Sequence, residues 1–234
     1  SSWLKKAKAD ILYIVSDGNE LARTADLLDF MMPEARVLRF PAWDTVPYDR
    51  VSPNVSIVAQ RIETLSELVM NPSPKKPRLI VSSIGAVLQK LPPAKIFRNS
   101  FKDVAVGKKL DFNEFLHYAA VNGYNRVEQV MEPGEYAVRG DIIDIFPVGT
   151  TEPLRLDLFD DEVERIRTFD AMSQRTTGEL KSYSFKVMSE ALLDANTIKT
   201  FRGKYREAFG AAFKDDEIYE AISAGRKYIG MENW

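Results

Sequence analysis

The sequence predicts an α/β protein in which a mostly parallel sheet comes first and an α+β module with an antiparallel sheet follows. Three observations predict this organisation. Short apolar runs alternate with amphipathic helical patterns up to about residue 100, as in a doubly wound sheet. Segments of alternating polar and apolar residues come next, separated by turn residues. From residue 194 the pattern is helical again, and we expect three parts, at 1–100, 101–186 and 187–234.

In the first part, the apolar run 11–15 predicts a buried strand that ends at the turn residues 16–19. A helix follows it, with Leu21, Ala25, Leu28 and Met32 at helical spacing. The remaining predicted elements are a strand at 36–40, a helix that begins at Asn54, a strand at 79–81 and a helix at 83–91. The apolar stripe of the long helix consists of Val55, Val58, Ile62, Leu65 and Val69.

The second part is predicted to contain a strand at 101–106 and a helix at 112–122, which Gly123 caps. The alternating segments that follow are 126–131, 136–146, 154–159, 163–169 and 182–187. Pro133-Gly134 and Asp160-Asp161 are typical of turns between strands. We therefore expect an antiparallel sheet with one helix, and then helices from residue 194 onward.

Composition limits the classes of function. The 234 residues carry a formal net charge of −2, so no global basic field attracts nucleic acid or an anionic membrane. The chain contains no cysteine, which excludes disulfides and cysteine-ligated zinc and fits a reducing cytoplasm. No apolar run approaches the ~20 residues of a membrane span. The first residue is not Met, which indicates a piece of a longer protein.

The sequence shows no set of catalytic residues. His117 is the single histidine, and it lies in the middle of a predicted helix, so neither a metal site nor a catalytic triad can be assembled around it. The acidic run 160–162 is typical of a solvated turn. No glycine-rich loop with a following Lys and hydroxyl residue is present to hold a phosphate. We expect no catalytic residue, no metal and no bound cofactor in this chain.

The strand at 154–159 raises a question about its second face. Residues two apart share a face of a strand, so the three leucines point to the core and Arg155, Asp157 and Phe159 point away from it. Either a loop or the helix at 112–122 covers Phe159, or the face binds another protein. An arginine beside an aromatic residue is the composition that binding hot spots favour. Arg139 lies on the same surface in some registers of the neighbouring strand.

Four long segments resemble the N-terminal region of the bacterial transcription-repair coupling factors, the Mfd family, which is similar in turn to the excision-repair protein UvrB. They are FPAWDTVPYDRVSPNVSIVAQRIETLSEL (40–68), RLIVSSIGAVLQKLPP (78–93), GYNRVEQVMEPGEYAVRGDIIDIFPVG (123–149) and RLDLFDDEVERIRTFDAMSQRT (155–176). The resemblance covers nearly the whole chain.

This resemblance implies a degenerate RecA-like domain that is interrupted by a UvrA-binding module and resumed by a helical segment. It implies that the partner is UvrA and that Arg139, Arg155 and Phe159 contact it, with Asp157 as a fourth candidate on the same face. It also implies that ATP, DNA and RNA polymerase are bound by domains outside this chain. Only residues 49–53 separate Tyr48 from the next helix, too few for the DNA-probing hairpin of UvrB.

The alternative function is residual binding of DNA or a nucleotide by the RecA-like half. Its best candidate residues are Arg61 on the long helix and the pair Lys108-Lys109.

Overall fold

The computed structural model describes residues 9–210 and 216–233. These residues divide into two compact units, one formed by 9–98 with 232 and 233, the other by 99–210 with 216–231. The first contains a parallel sheet and the second contains antiparallel sheets, so the mixed α/β class is confirmed. By packing, the described residues from 187 to 231 group with the second unit. The division into domains at 1–100, 101–186 and 187–234 stays a prediction.

The first unit is built on the parallel strands β1 (Ile11–Val15), β2 (Arg36–Phe40) and β3 (Arg78–Ser83), with β3 in the centre. Helix α1 (Gly18–Met31) connects β1 to β2, and α2 (Val55–Met70) connects β2 to β3. Each helix begins at a capping side chain, since Asp17 and Asn54 accept hydrogen bonds from backbone N–H groups of the first turn. Two short helices follow, α3 (Ile84–Leu88) and α4 (Ala94–Asn99).

Most predictions for this unit are confirmed. The strands at 11–15 and 36–40 match to the residue, and Ile62, Leu65 and Val69 of the long helix are buried. The prediction that the strand at 11–15 is buried is wrong for its three central residues, 12–14, which are exposed because β1 lies at the edge of the described sheet. Val55 is exposed, because it lies in the first turn where the chain enters the helix. The helix predicted at 83–91 ends at Leu88, and α4 was missed because a helix of six residues carries little periodicity.

The second unit contains a six-stranded sheet in which the strands follow one another in sequence order. They are β5 (Asn125–Arg126), β6 (Glu135–Arg139), β7 (Ile142–Ile145), β8 (Leu154–Phe159), β9 (Glu162–Phe169) and β10 (Thr176–Leu180). All neighbours pair antiparallel except β5 with β6. Strands β4 (Lys102–Ala105) and β11 (Ser182–Phe185) form a separate pair. The helices are α5 (Phe112–Val121), α6 (Ala195–Phe209) and α7 (Glu217–Ser223).

One face of the six-stranded sheet packs against α5 and forms the main core of this unit. Leu154, Leu156 and Leu158 of β8 lie in it beside Phe115 and Ala119 of α5. The alternation of β8 therefore places its leucines as predicted, and it assigns Arg155, Asp157 and Phe159 to the opposite face. We call that opposite side of the sheet the second face.

Two sequence predictions in this unit are wrong. Residues 136–146 form two strands instead of one, because Gly140 adopts a φ of +61° and turns the chain between β6 and β7. The segment 126–131 is a strand only at its first residue. Its remaining residues form a loop, since Val127 and Val130 are three apart and both turn toward a second apolar cluster. Strand β10 was missed, because its residues are mostly polar and exposed.

Candidate protein-binding surface

Register shows which side chains share the second face. Arg155 lies opposite Asp144 of β7 on one side and opposite Arg167 of β9 on the other. Two residues further along β8, Asp157 lies opposite Ile142 of β7 and Arg165 of β9. Ile142 in turn lies opposite Arg139 of β6. Directly opposed residues of an antiparallel pair point to the same side of the sheet. Arg139, Arg155, Asp157 and Phe159 are therefore all on the second face.

Phe159 ends β8 and is 77% exposed. The turn Asp160–Asp161 follows it, with Asp160 at a φ of +57°, and Glu162 is its partner on β9. Helix α5 does not cover Phe159, because α5 packs on the core face. The ring borders a shallow depression of about 310 Å³, whose lining residues are Phe159, Asp160, Asp161, Glu162 and Glu164.

Arg155 is held inside its own unit. Its Nε and Nη2 atoms donate to the two carboxylate oxygens of Asp144 at 2.6 and 2.8 Å, and the guanidinium lies 4.5 Å from the centre of the Phe169 ring. The hydrogen bonds to Asp144 raise the pKa of Arg155 above its ordinary value. The side chain is 16% exposed. Arg155 is thus a fixed cation with a small accessible part.

Asp157 makes a matching pair with the next strand. Arg167 Nε and Nη2 donate to its two carboxylate oxygens at 2.7 and 2.6 Å. Asp157 is also largely buried. Asp144 and Asp157 are therefore each engaged by an arginine of a neighbouring strand, in the two-pronged geometry that strengthens such pairs.

Arg139 is exposed, and its Nη2 donates to the carbonyl oxygen of Glu128 at 3.0 Å. Glu128 belongs to the loop between β5 and β6. Val130 of the same loop is buried with Ala137, Phe146 and Phe169 in a small apolar cluster. Since Ala137 pairs with Asp144, this loop covers the part of the second face that holds Arg155, while Arg139 and Phe159 stay exposed.

Sequence reasoning missed two residues that organise this surface. Asp144 is buried and is the partner of Arg155. Gln174, at a φ of +58°, donates to the carbonyl oxygens of Val130 and Ala171 and lies 3.4 Å from Arg155 Nη2. A signal for Asp144 was present, because it alternates with Ile143 and Ile145 and so had to lie on the face that carries Arg155. No sequence pattern marks Gln174.

Comparison with known proteins shows which family this sequence is similar to. Residues 103–190 match the family model of the UvrB interaction domain. The transcription-repair-coupling factor of Haemophilus influenzae is 38% identical over 199 residues, which are 85% of this chain and 17% of that protein. Those of Rickettsia bellii and Escherichia coli are each 32% identical, over 99% and 96% of this chain and 20% and 19% of theirs.

This chain belongs to the family of transcription-repair-coupling factors. It spans about a fifth of the length of the relatives it matches. The segment that matches the UvrB interaction domain includes Arg139, Arg155, Asp157 and Phe159.

The residues of the alternative function lie elsewhere. Arg61 is fully buried, where its Nη1 donates to Pro41 O at 2.7 Å and Gln89 Oε1 at 2.9 Å, and the guanidinium lies over Phe40. Arg61 is therefore inaccessible to DNA or a nucleotide, which removes one of the candidate residues of the alternative function. Lys109 pairs with Asp161 at 2.5 Å, and Lys108 is exposed.

Neither a metal-binding cluster nor a membrane-spanning helix is present among residues 9–210 and 216–233. No group of three or more histidine or acidic side chains could hold a metal ion there. Over the same residues, no helix has the length and apolar character needed to cross a bilayer.

Proposed function

We propose that this chain recruits UvrA by presenting a surface similar to that of UvrB, and that it does so at RNA polymerase stalled on damaged DNA, in nucleotide excision repair. The observation that carries the proposal is the exposed ring of Phe159 at the end of a strand whose leucines are buried. That ring lies in the segment that matches the UvrB interaction domain. An exposed aromatic residue on a rigid sheet supplies apolar area for binding without cost to the fold.

In the proposed contact, Phe159 is the apolar anchor and the two arginines supply charge. Arg139 is exposed and can turn toward a carboxylate of UvrA once it releases the Glu128 carbonyl. Arg155 is fixed by Asp144 and contributes only its accessible part. Asp157 acts through Arg167, which holds it in the surface.

The remaining roles extend the same proposal. The parallel-sheet unit is a degenerate RecA-like domain, and the chain performs protein recognition without catalysis and without a cofactor of its own. ATP, DNA and RNA polymerase bind to other parts of the longer protein, which acts in the cytoplasm. The family similarity and the mixed α/β fold support these assignments.

Calorimetric titration of this chain with purified UvrA tests the proposal. We expect saturable binding at micromolar concentration, and weaker binding for Arg139→Ala and for Phe159→Ala. Retained binding in both variants would remove the second face from the interface. Absence of any binding by the unaltered chain would overturn the recruitment function itself.

A further inference from the structure

The guanidinium of Arg155 is fixed from three sides. Asp144 of the neighbouring strand accepts hydrogen bonds from Nε and Nη2, the ring of Phe169 lies beneath the guanidinium, and Gln174 Oε1 is 3.4 Å from Nη2. Asp144 is only 2% exposed. An arginine side chain loses much rotational freedom when it is ordered. Here that freedom is already lost before any partner arrives.

One nitrogen of this guanidinium remains available. Among the described residues, no hydrogen bond joins Nη1 of Arg155 to another group. Nη1 is also not among the buried side-chain atoms that lack a partner there, which are Tyr124 Oη, Ser184 Oγ and Ser223 Oγ. An unpaired atom that is not buried touches solvent, so Nη1 is the donor that Arg155 offers at the surface.

The edge occupied by Asp144 limits how a partner can bind. A carboxylate that took both Nε and Nη2 would have to displace Asp144 and leave a buried charge without its cation, which is strongly unfavourable. A partner oxygen can instead approach Nη1 without disturbing the internal pair.

We propose that Asp144 is the positioning residue of this surface. It holds Arg155 so that Nη1 reaches a single oxygen of the partner, either a backbone carbonyl or one carboxylate oxygen. This inference rests on the proposed recruitment of UvrA. Asp144 contributes to affinity only through Arg155 and makes no contact of its own, because its carboxylate is buried.

A double-mutant cycle measured by titration with purified UvrA tests this role. The variants are Asp144→Asn, Arg155→Gln and the double substitution, each compared with the unaltered chain. Asparagine has the shape of aspartate but loses the charge and one acceptor oxygen, so the guanidinium is held less firmly. We expect Asp144→Asn to weaken binding about tenfold, the size of the coupling between residues in contact. In the Arg155→Gln background, the same substitution should change the affinity less than about twofold.

The control is Asp10→Asn, which breaks a comparable pair in the first unit, where Arg78 binds Asp10 at 2.6 and 3.1 Å. It should leave the affinity for UvrA unchanged. If Asp144→Asn does not fold, Arg155→Lys replaces it in the test. Lysine keeps the charge, but its single ammonium cannot hold Asp144 with two nitrogens and present a third, so its affinity should fall to that of Arg155→Gln.

The outcomes separate the two proposals. If the unaltered chain binds UvrA and Asp144→Asn binds equally well, the positioning role is wrong and the recruitment function stands. An equal loss in both backgrounds means that Asp144 acts on the fold alone and overturns the positioning role. Arg155→Lys with full affinity overturns it as well. If the unaltered chain does not bind, both proposals fail.

Discussion

Replacing Phe159 by alanine should weaken binding to UvrA without destabilising the chain. The ring is 77% exposed, so its removal takes away few contacts within the protein. Substitutions at such positions usually change the free energy of unfolding by less than about 0.5 kcal/mol. The melting temperature should therefore shift by no more than about 2 °C.

The expected loss of affinity follows from the exposed area. A phenylalanine buries roughly 200 Å² when it is fully covered. With 77% of Phe159 exposed, roughly 150 Å² is available to a partner. At about 25 cal/mol per Å², covering this area contributes at most roughly 4 kcal/mol. Part of this gain offsets the ordering and desolvation that accompany association. We expect Phe159→Ala to lose at least about 1.4 kcal/mol of binding free energy, a tenfold higher Kd.

Phe30 provides a matched control, because it is the same residue type, is 85% exposed and lies on α1 of the first unit. Calorimetric titration with UvrA should give the affinity of the unaltered chain for Phe30→Ala and a much lower one for Phe159→Ala. If Phe159→Ala binds UvrA as tightly as the unaltered chain does, the argument that the exposed ring of Phe159 contributes to binding is refuted. An equal loss in both variants would show that any exposed aromatic ring contributes, and that the second face has no special role.

Two further predictions concern stability. Arg155→Ala leaves the buried carboxylate of Asp144 without its cation and should lower the free energy of unfolding by about 3 kcal/mol. Arg139→Ala removes an exposed side chain and should lower it by less than about 0.5 kcal/mol. Urea denaturation followed by circular dichroism distinguishes these, and equal midpoints would contradict the ion-pair argument. Hydrogen bonds from Arg78 lower the pKa of Asp10, so this pair stabilises the first unit above the unfolded pKa of about 4, and that stability is lost as the pH falls through the folded value. Asp10→Asn should therefore show a weaker fall of the urea midpoint below about pH 4 than the unaltered chain, and identical acid profiles would contradict it.

The bounds of the strands of the first unit could be predicted closely, because each is a short run rich in apolar residues with turn residues beside it. Burial could not be predicted as well, since Leu12, Tyr13 and Ile14 of the apolar run are exposed among the described residues. The run 11–15 and the segment 36–40 both match the observed strands to the residue. The loop at 127–131 could not be predicted, because its path depends on contacts with distant segments. Arg139 and Gln174 bind its carbonyl groups, and Val130 packs with Phe146 and Phe169.

The candidate surface shows the same difference between what a local pattern predicts and what contacts between distant residues decide. Alternation along 154–159 placed Phe159 on the face away from the core, and the structure shows it exposed. Alternation could not indicate how Arg155 is held, because its partner Asp144 is eleven residues away and on another strand. Arg155 and Phe159 therefore share a face as predicted and differ in accessibility. The pairing register decides this difference, and register depends on turns such as Gly140 that the alternating pattern does not reveal.

The two ion pairs of the second face explain how a charged surface can also be rigid. Arg155 and Arg167 are directly opposite on neighbouring strands, an arrangement that is unfavourable for two bare cations. Each has its own carboxylate one strand away, Asp144 for Arg155 and Asp157 for Arg167. Four charged side chains on three neighbouring strands are thereby fixed in one conformation. Phe159 ends β8, the strand that carries Arg155 and Asp157. A surface whose side chains are ordered in advance loses less entropy on binding, which favours a specific partner even when the contact area is small.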